Sequence, residues 1–521
     1  SYGYSSLADI QALTKMKEKL INHMLVYENY PVDDYGKAVD NTTDALRITD
    51  MEVFEQTNYD FGLVIIPGSQ IKAEMTYNNN VYREDIINRI GVNFCHVLKQ
   101  VTTDPTRVLK DISAVNEEER GMLQDFNKQS SNYTVNKTIQ DLFEERAEKT
   151  PGQTAAVYAG KHITYKELNE KANQVATLLM EKGAGKNSIT AMMIRPSEYS
   201  MIGMLGILKT GSAFLPIDDE SPVSRINHIL KDSKADILIT DLCFLADKNI
   251  AAECLDITDK SIYTSQNTSN PDVQYDLEDE VYVIYTSGTS GKPKGVKVKN
   301  KSLVNYSLWV CDQININSDS RSLVTSKYSV DLCYTSIFPV LSGGGQVHFV
   351  DKEVYLHSLS LIEYIHKNSI TYLKMTPTLF STLMEDVDML ASCPDLKVII
   401  LGGESINIGN VKKLAEKCRW MKFINHYGPT ESTVGCIAHS IDLDHIQNCE
   451  IYNRIGRPIH GINIYIVDRS DQLVPVGAPG EICISGVGLA SGYVNNEELT
   501  NEKFIDNPFH RGAKMYKTGD L

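Results

Sequence analysis

From about residue 138 onward, short apolar runs alternate with helix-like segments, and that alternation constrains the fold more than any other feature. The runs at 189–194, 235–240, 281–285, 347–350 and 398–401 read as strands. Between them apolar residues recur at helical spacing, as in Leu168, Ala172, Val175 and Leu179. Ile139, Leu142, Phe143 and Ala147 form an earlier helical face, and Thr164 with Glu167 makes a capping box. The expected fold class is α/β with mostly parallel strands. The apolar stretch 201–217 is interrupted by Lys209, Thr210 and Gly211, so it reads as a buried helix leading into a strand, not a membrane span. Beyond Ile462 the pattern changes to short strands with Gly and Pro turns, at 462–467 and 481–485, and predicts a smaller β-rich subdomain.

With 521 residues the chain exceeds a single core, and two to four domains are expected. Residues 1–112 read as one unit. There Ile71, Ala73, Met75 and Tyr77 alternate as in a half-buried strand. A helix is predicted over 81–108, with Ile86, Ile90, Val92, Cys95 and Leu98 apolar. The polar segment that follows, 113–137, suits a linker, and 138–521 forms the larger part. The net charge of -16 repels phosphodiester backbones and argues against a nucleic-acid partner. Ten scattered cysteines without CxxC pairs or zinc-finger spacing read as free thiols of a reducing cytosol. The expected location is therefore cytoplasmic, without membrane attachment. No signal peptide opens the chain. It starts without Met and stops at Asp520-Leu521, so a fragment of a longer protein is expected.

The segment 285–295, YTSGTSGKPKG, follows the strand of Val281, Val283 and Ile284. Four Ser/Thr residues, three glycines and two lysines in eleven positions form a loop suited to gripping a polyphosphate through backbone N–H groups. Neither the GxxxxGK[ST] spacing of a Walker loop nor a GxGxxG dinucleotide pattern is present.

The loop resembles the signature of the adenylate-forming superfamily, which includes peptide-synthetase adenylation domains, acyl-CoA ligases and luciferases. Further motifs follow the family's order: LKTGSAFLPID at 208–218, NHYGPTE at 425–431, GEICISG at 480–486 with Gly492-Tyr493, and YKTGDL at 516–521. The resemblance implies layered αβαβα parallel sheets with a small β-barrel subdomain. It also implies ATP and Mg²⁺ as partners in forming an acyl-adenylate. By the same resemblance Thr286, Ser287, Gly288, Thr289, Ser290, Gly291 and Lys294 would hold the terminal phosphates, with Ser290 standing where Thr is commoner. Gly403, Glu404 and Gly428 would line the nucleotide site. Tyr427 would face the adenine ring, Asn425 would read its amino edge, and Asp520 would take the ribose hydroxyls. Glu431 would hold Mg²⁺ and Thr430 would close the site near the α-phosphate. The family's catalytic lysine belongs to a C-terminal subdomain beyond Leu521, so this chain is expected to bind its ligands but to be impaired in catalysis.

VDLCYT at 330–335 resembles the fourth motif of the family, in which an aspartate pairs with the substrate's α-ammonium. Val330 and Cys333 replace the commoner Phe and Ser, but Asp331 is retained. Acyl-CoA ligases hold no amine, so Asp331 favours an amino acid. The family's specificity positions fall on Asp331, Leu332, Thr335, Lys374, Ile400, Gly402, His426, Val434 and Gly435. A lysine in the apolar strand TYLKMTP at 371–377 is costly unless it meets an anion. With His426 it predicts L-aspartate, with asparagine second. A charge-assisted hydrogen bond of roughly 1.5–3 kcal/mol would give about ten- to hundredfold discrimination.

At the start of the chain, HMLVYENYP at 23–31 and NYDFG at 58–62 resemble the C-terminal lobe of a condensation domain, an α+β fold of the chloramphenicol-acetyltransferase kind. The HHxxxDG motif is absent. Together the resemblances imply nonribosomal peptide synthesis, with the upstream condensation domain in the same chain and a downstream phosphopantetheine carrier as partner. The alternatives are an acyl- or aryl-CoA ligase and a non-catalytic docking platform.

Overall fold

The computed structural model describes residues 21–28, 58–68, 70–131, 133–241, 249–287, 293–446 and 454–521. The chain divides into two compact units, Ser1–Met122 with Gln472–Pro479, and Leu123–Asp471 with Gly480–Leu521.

In the first unit a three-stranded sheet runs in the order His23–Tyr27, Phe61–Ile66, Lys72–Tyr77, parallel and then antiparallel. A helix follows at Glu84–Thr103. Its buried positions are Ile87 and Asn93, whereas Ile90, Val92, Cys95 and Leu98 are exposed, contrary to the apolar face read from the sequence. A polar contact decides that orientation. Asn93 donates to Glu119 at 2.7 Å and accepts from Asn116 at 2.7 Å, and Glu119 also accepts the Val476 amide. Within the stretch expected as a linker, a helix spans Glu117–Phe126.

The second unit holds two large sheets. The seven-stranded sheet has the order Gly492–Tyr493, Pro293–Lys299, Glu280–Ser287, Ala213–Pro216, Ile189–Met193, Ile237–Thr240, Glu253–Asp256. Its pairs from Glu280–Ser287 onward are parallel. The nine-stranded sheet has the order Arg457–Pro458, Ile437–Ser440, Lys422–Tyr427, Val398–Gly402, Tyr372–Met375, Arg321–Val324, Gln346–Phe349, Thr154–Tyr158, Lys161–Thr164. It is parallel through its middle and antiparallel at both margins. The β-rich part is a four-stranded antiparallel sheet of Ile462–Val467, Glu481–Gly486, Lys514–Lys517 and Phe504–Asp506.

Helices cover the sheets, and their starts follow the expected chemistry. Thr164 and Glu167 exchange both bonds of a capping box at the helix Tyr165–Glu181. The helix Glu198–Lys209 is buried almost all round, as an apolar helix between packed layers must be. Gly206 permits its close approach, since a Cβ there would lie 2.7 Å from Val175 Cγ1. At its last position Lys209 is buried and pairs with Glu144. Among the described residues no helix is long and apolar enough to cross a membrane, and the described cysteines are free.

Candidate functional site

Four neighbouring parallel strands deliver most of the expected side chains at or beyond their carboxyl ends, the edge at which open α/β sheets bind ligands. Lys374 is registered with Ile400, and Gly402 with His426. Side chains alternate along a strand, so Lys374, Ile400, Gly402 and His426 share one face of the sheet. Asn425 and Tyr427 lie on the other. The single strand Lys422–Tyr427 thereby divides the residues expected to read the acid from those expected to read the nucleotide.

On the first face Lys374 and His426 are 2% and 3% exposed, and Lys374 Nζ lies 2.8 Å from His426 Nδ1. The lysine does not reach for the surface. Two glycines make room: a Cβ on Gly402 would stand 2.5 Å from Lys374 Nζ, and one on Gly435 only 1.8 Å from His426 Cε1. Asp331 follows the strand Arg321–Val324 in a short 3-10 turn, Asp331–Ser336, and is buried. Burial pushes its carboxyl up to about 6, against the Thr430 hydroxyl and Val434 amide that stabilise the anion. Burial likewise brings Lys374 down to about 7, opposed by the charge of Asp331. Burial and the neighbouring lysine hold His426 well below its ordinary value, so the imidazole is neutral. Asp331 Oδ2 and His426 Nε2 are both buried without a protein hydrogen-bond partner.

The wall opposite is strained. Thr433 and Val434 have φ of 61° and 64°, and the Gly435 amide closes a tight turn onto the Thr433 carbonyl at 2.6 Å. Left-handed backbone at β-branched residues costs on the order of 1–3 kcal/mol each. That turn is what presents the Val434 amide to Asp331. Thr335 is held by the Tyr306 hydroxyl at 2.7 Å and by Tyr372, which donates to its carbonyl at 2.9 Å. Leu332 and Ile400 are buried and supply apolar lining.

In the half expected to hold the nucleotide, Glu431 is buried, accepts from Lys294 at 2.7 Å and also accepts the Tyr493 hydroxyl at 2.7 Å. Burial raises its carboxyl, but Lys294 and Tyr493 outweigh that and hold it below the usual range, so it is an anion. The Thr286 hydroxyl is buried without a partner, as a group awaiting an acceptor such as a phosphate oxygen would be. Ser287 is exposed and ends its strand, while Gly288, Thr289, Ser290 and Gly291 lie outside the described residues. The Tyr427 hydroxyl donates to Asp520. Gly428 has no room for a side chain, its Cβ position lying 2.3 Å from Gly435 Cα. Gly403 has φ of 88° and Glu404, exposed, accepts from the Thr378 amide at 3.0 Å. Asn425 is buried and spends its amide on the Arg454 carbonyl at 2.8 Å.

A buried carboxylate and an unpartnered hydroxyl beside a phosphate-type loop are hard oxygen donors, and they fit Mg²⁺, which keeps few protein ligands and bridges phosphates. Among the described residues no cluster of three or more His, Cys, Asp or Glu could hold a metal by itself. Tyr493, Tyr306 and Trp309 are parts of the site that the sequence reading left without a role. Tyr493 belongs to a quoted motif, so its signal was present; the other two sit in an ordinary buried helix face.

The AMP-binding enzyme family matches residues 143–494, and the condensation-domain family matches residues 1–124. Bacitracin synthase 3 of Bacillus licheniformis is 37% identical over 97% of this chain, which spans 8% of that protein. Bacitracin synthase 1 of the same organism is 38% identical over the whole chain, which covers 10% of its length. The chain thus spans about a tenth of the length of these relatives. A crystal structure of the nonribosomal peptide synthetase FmoA3 in an AMPPNP-bound form superposes with a TM-score of 0.84 at 21% identity, covering 98% of this chain and 55% of that one.

Proposed function

Since the chain belongs to the AMP-binding enzyme family and carries a condensation-domain segment ahead of that match, we propose that it activates an amino acid as its adenylate, with L-aspartate preferred and asparagine second. The product would be loaded onto a phosphopantetheine carrier in nonribosomal peptide synthesis. One observation carries the choice of acid: Asp331 Oδ2 and His426 Nε2 are buried without a protein hydrogen-bond partner, and the buried Lys374 ammonium meets His426 only at Nδ1.

In this reading Asp331 binds the α-ammonium, and Lys374 with His426 binds the side-chain carboxylate. The substrate's α-carboxylate is thereby aimed at the α-phosphorus, which it attacks as pyrophosphate leaves. Thr286, Ser287 and Lys294 hold the phosphates, and Lys294 exchanges its bond to Glu431 for one to a phosphate oxygen. Magnesium, held by Glu431, would neutralise charge on the phosphates. Thr430 steadies Asp331 at the junction of the two halves. Tyr427 packs against adenine and Asp520 takes the ribose hydroxyls. Rate enhancement rests on positioning and on charge placed in advance, with no covalent enzyme intermediate.

Titration calorimetry with aspartyl- and asparaginyl-sulfamoyl adenosine tests the reading without requiring turnover. The aspartyl compound should bind about ten- to hundredfold tighter, the worth of one charge-assisted hydrogen bond. Lys374→Ala should abolish that preference. A preference that survives the substitution refutes the pocket assignment.

A further inference from the structure

His426 is gripped on its flanks as well as bonded in its plane. Trp309, on the helix Asn300–Ile314, stacks on the imidazole with ring centroids 5.7 Å apart and planes inclined by 19°. Tyr306, one turn earlier, approaches the same ring at 5.6 Å. Gly435 Cα crowds the ring so closely that no methyl group fits there. In the plane, Nδ1 meets Lys374 Nζ. Below about pH 7, and wherever a ligand carboxylate keeps Lys374 charged, the ammonium has donors and no acceptor, so Nδ1 accepts and the neutral ring carries its proton on Nε2. Lys374 and His426 Nε2 then offer only donors to the substrate's side chain, while the Asp331 carboxylate is left for its α-ammonium.

We propose that Trp309 is a positioning residue for the choice of acid over amide: its stacked indole holds the His426 imidazole so that Nε2–H points into the substrate pocket beside Lys374. This rests on the reading of the pocket as an aspartate site. A carboxylate offers an acceptor to each donor. A carboxamide of the same shape turns its NH₂ toward one of them, and a site with a buried unpaired polar group rejects such a ligand strongly. The discrimination needs a fixed ring. The torsion that turns an imidazole about its Cβ–Cγ bond is broad, so the side chain's own preference does not fix it. Stacking does, without any contact between Trp309 and the ligand.

Calorimetry on the whole chain with aspartyl- and asparaginyl-sulfamoyl adenosine, and with a non-hydrolysable ATP analogue alone, separates this role from a purely structural one. Trp309→Leu should reduce the aspartyl preference about tenfold or more, the loss of one oriented charge-assisted bond. Affinity for the ATP analogue should be unchanged. Trp309→Phe, which keeps a stacking plane, should retain the preference within about threefold, at most about half of that loss in free energy. A folded Trp309→Leu chain with the wild-type preference overturns the proposal while leaving the aspartate reading intact. So does a Trp309→Leu chain that loses the ATP analogue equally. A wild-type chain with no preference overturns the aspartate reading and the proposal with it. Nitrogen-15 NMR of histidine-labelled wild-type protein needs no variant: His426 should show the Nε2–H tautomer, and an Nδ1–H tautomer refutes the proposal even if Trp309→Leu fails to fold.

Discussion

Lys374 and Asp331 bring opposite charges into one pocket, and burial moves their pKa values toward each other, to about 7 and about 6. A ligand carboxylate favours the charged lysine and so raises the Lys374 value in the complex. Its contribution is therefore complete below about pH 7 and weakens as pH rises, by up to tenfold per unit. A ligand ammonium favours the ionised Asp331, so binding of either ligand weakens as pH falls below about 6. The ratio of aspartyl to asparaginyl affinity cancels the ammonium's own titration and the Asp331 effect. It should be highest below pH 7 and fall through neutrality, as calorimetry across this range would show; parallel profiles would contradict the pairing. Lys374 was legible in the sequence because a lysine in an apolar strand demands an explanation. Trp309 was not, because an aromatic on a buried helix face ordinarily means core.

Among the elements, the helix Glu198–Lys209 and the helix Ile139–Lys149 are joined by the buried pair of Lys209 and Glu144. Tyr275 adds a bond from its hydroxyl to the Lys209 carbonyl at 3.0 Å. Desolvation lowers the Lys209 value, which Glu144 opposes. Removing one partner of such a pair strands the other charge, so Glu144→Leu should cost roughly 3–5 kcal/mol in urea denaturation. The double variant Glu144→Leu, Lys209→Met should recover most of it, because two apolar side chains of similar volume replace both charges. The sequence showed this helix as apolar and interrupted by Lys209. That the lysine ends inside the protein, and on which acid, depends on a helix many residues earlier.

At the scale of the whole larger unit, Tyr427 ends a strand of the nine-stranded sheet, and Asp520 follows the last strand of the four-stranded sheet. Their bond joins the two sheets beside the expected nucleotide site. Tyr427→Phe keeps the ring and removes the tether. It should leave the fold intact and weaken the ATP analogue by about fivefold, the worth of one ordinary hydrogen bond of about 1 kcal/mol. Calorimetry with that analogue checks it, and unchanged affinity would show that Asp520 needs no such tether. Which strands share a sheet was hidden at sequence level. Thr154–Tyr158 pairs with Gln346–Phe349, and Ile189–Met193, next but one in the chain after it, enters the other sheet.

The sequence by itself determined the α/β class, the order of motifs and the residue types at the site, because strand and helix periods and hydroxyl-glycine loops are local properties of the chain. Tertiary structure alone decided the division of the strands into two sheets and the pleat that sets His426 against Asn425 and Tyr427. It also decided the neutral, clamped state of the imidazole. Those depend on which distant surfaces meet and on how far water is excluded where they do, and neither quantity is written in any short stretch of residues.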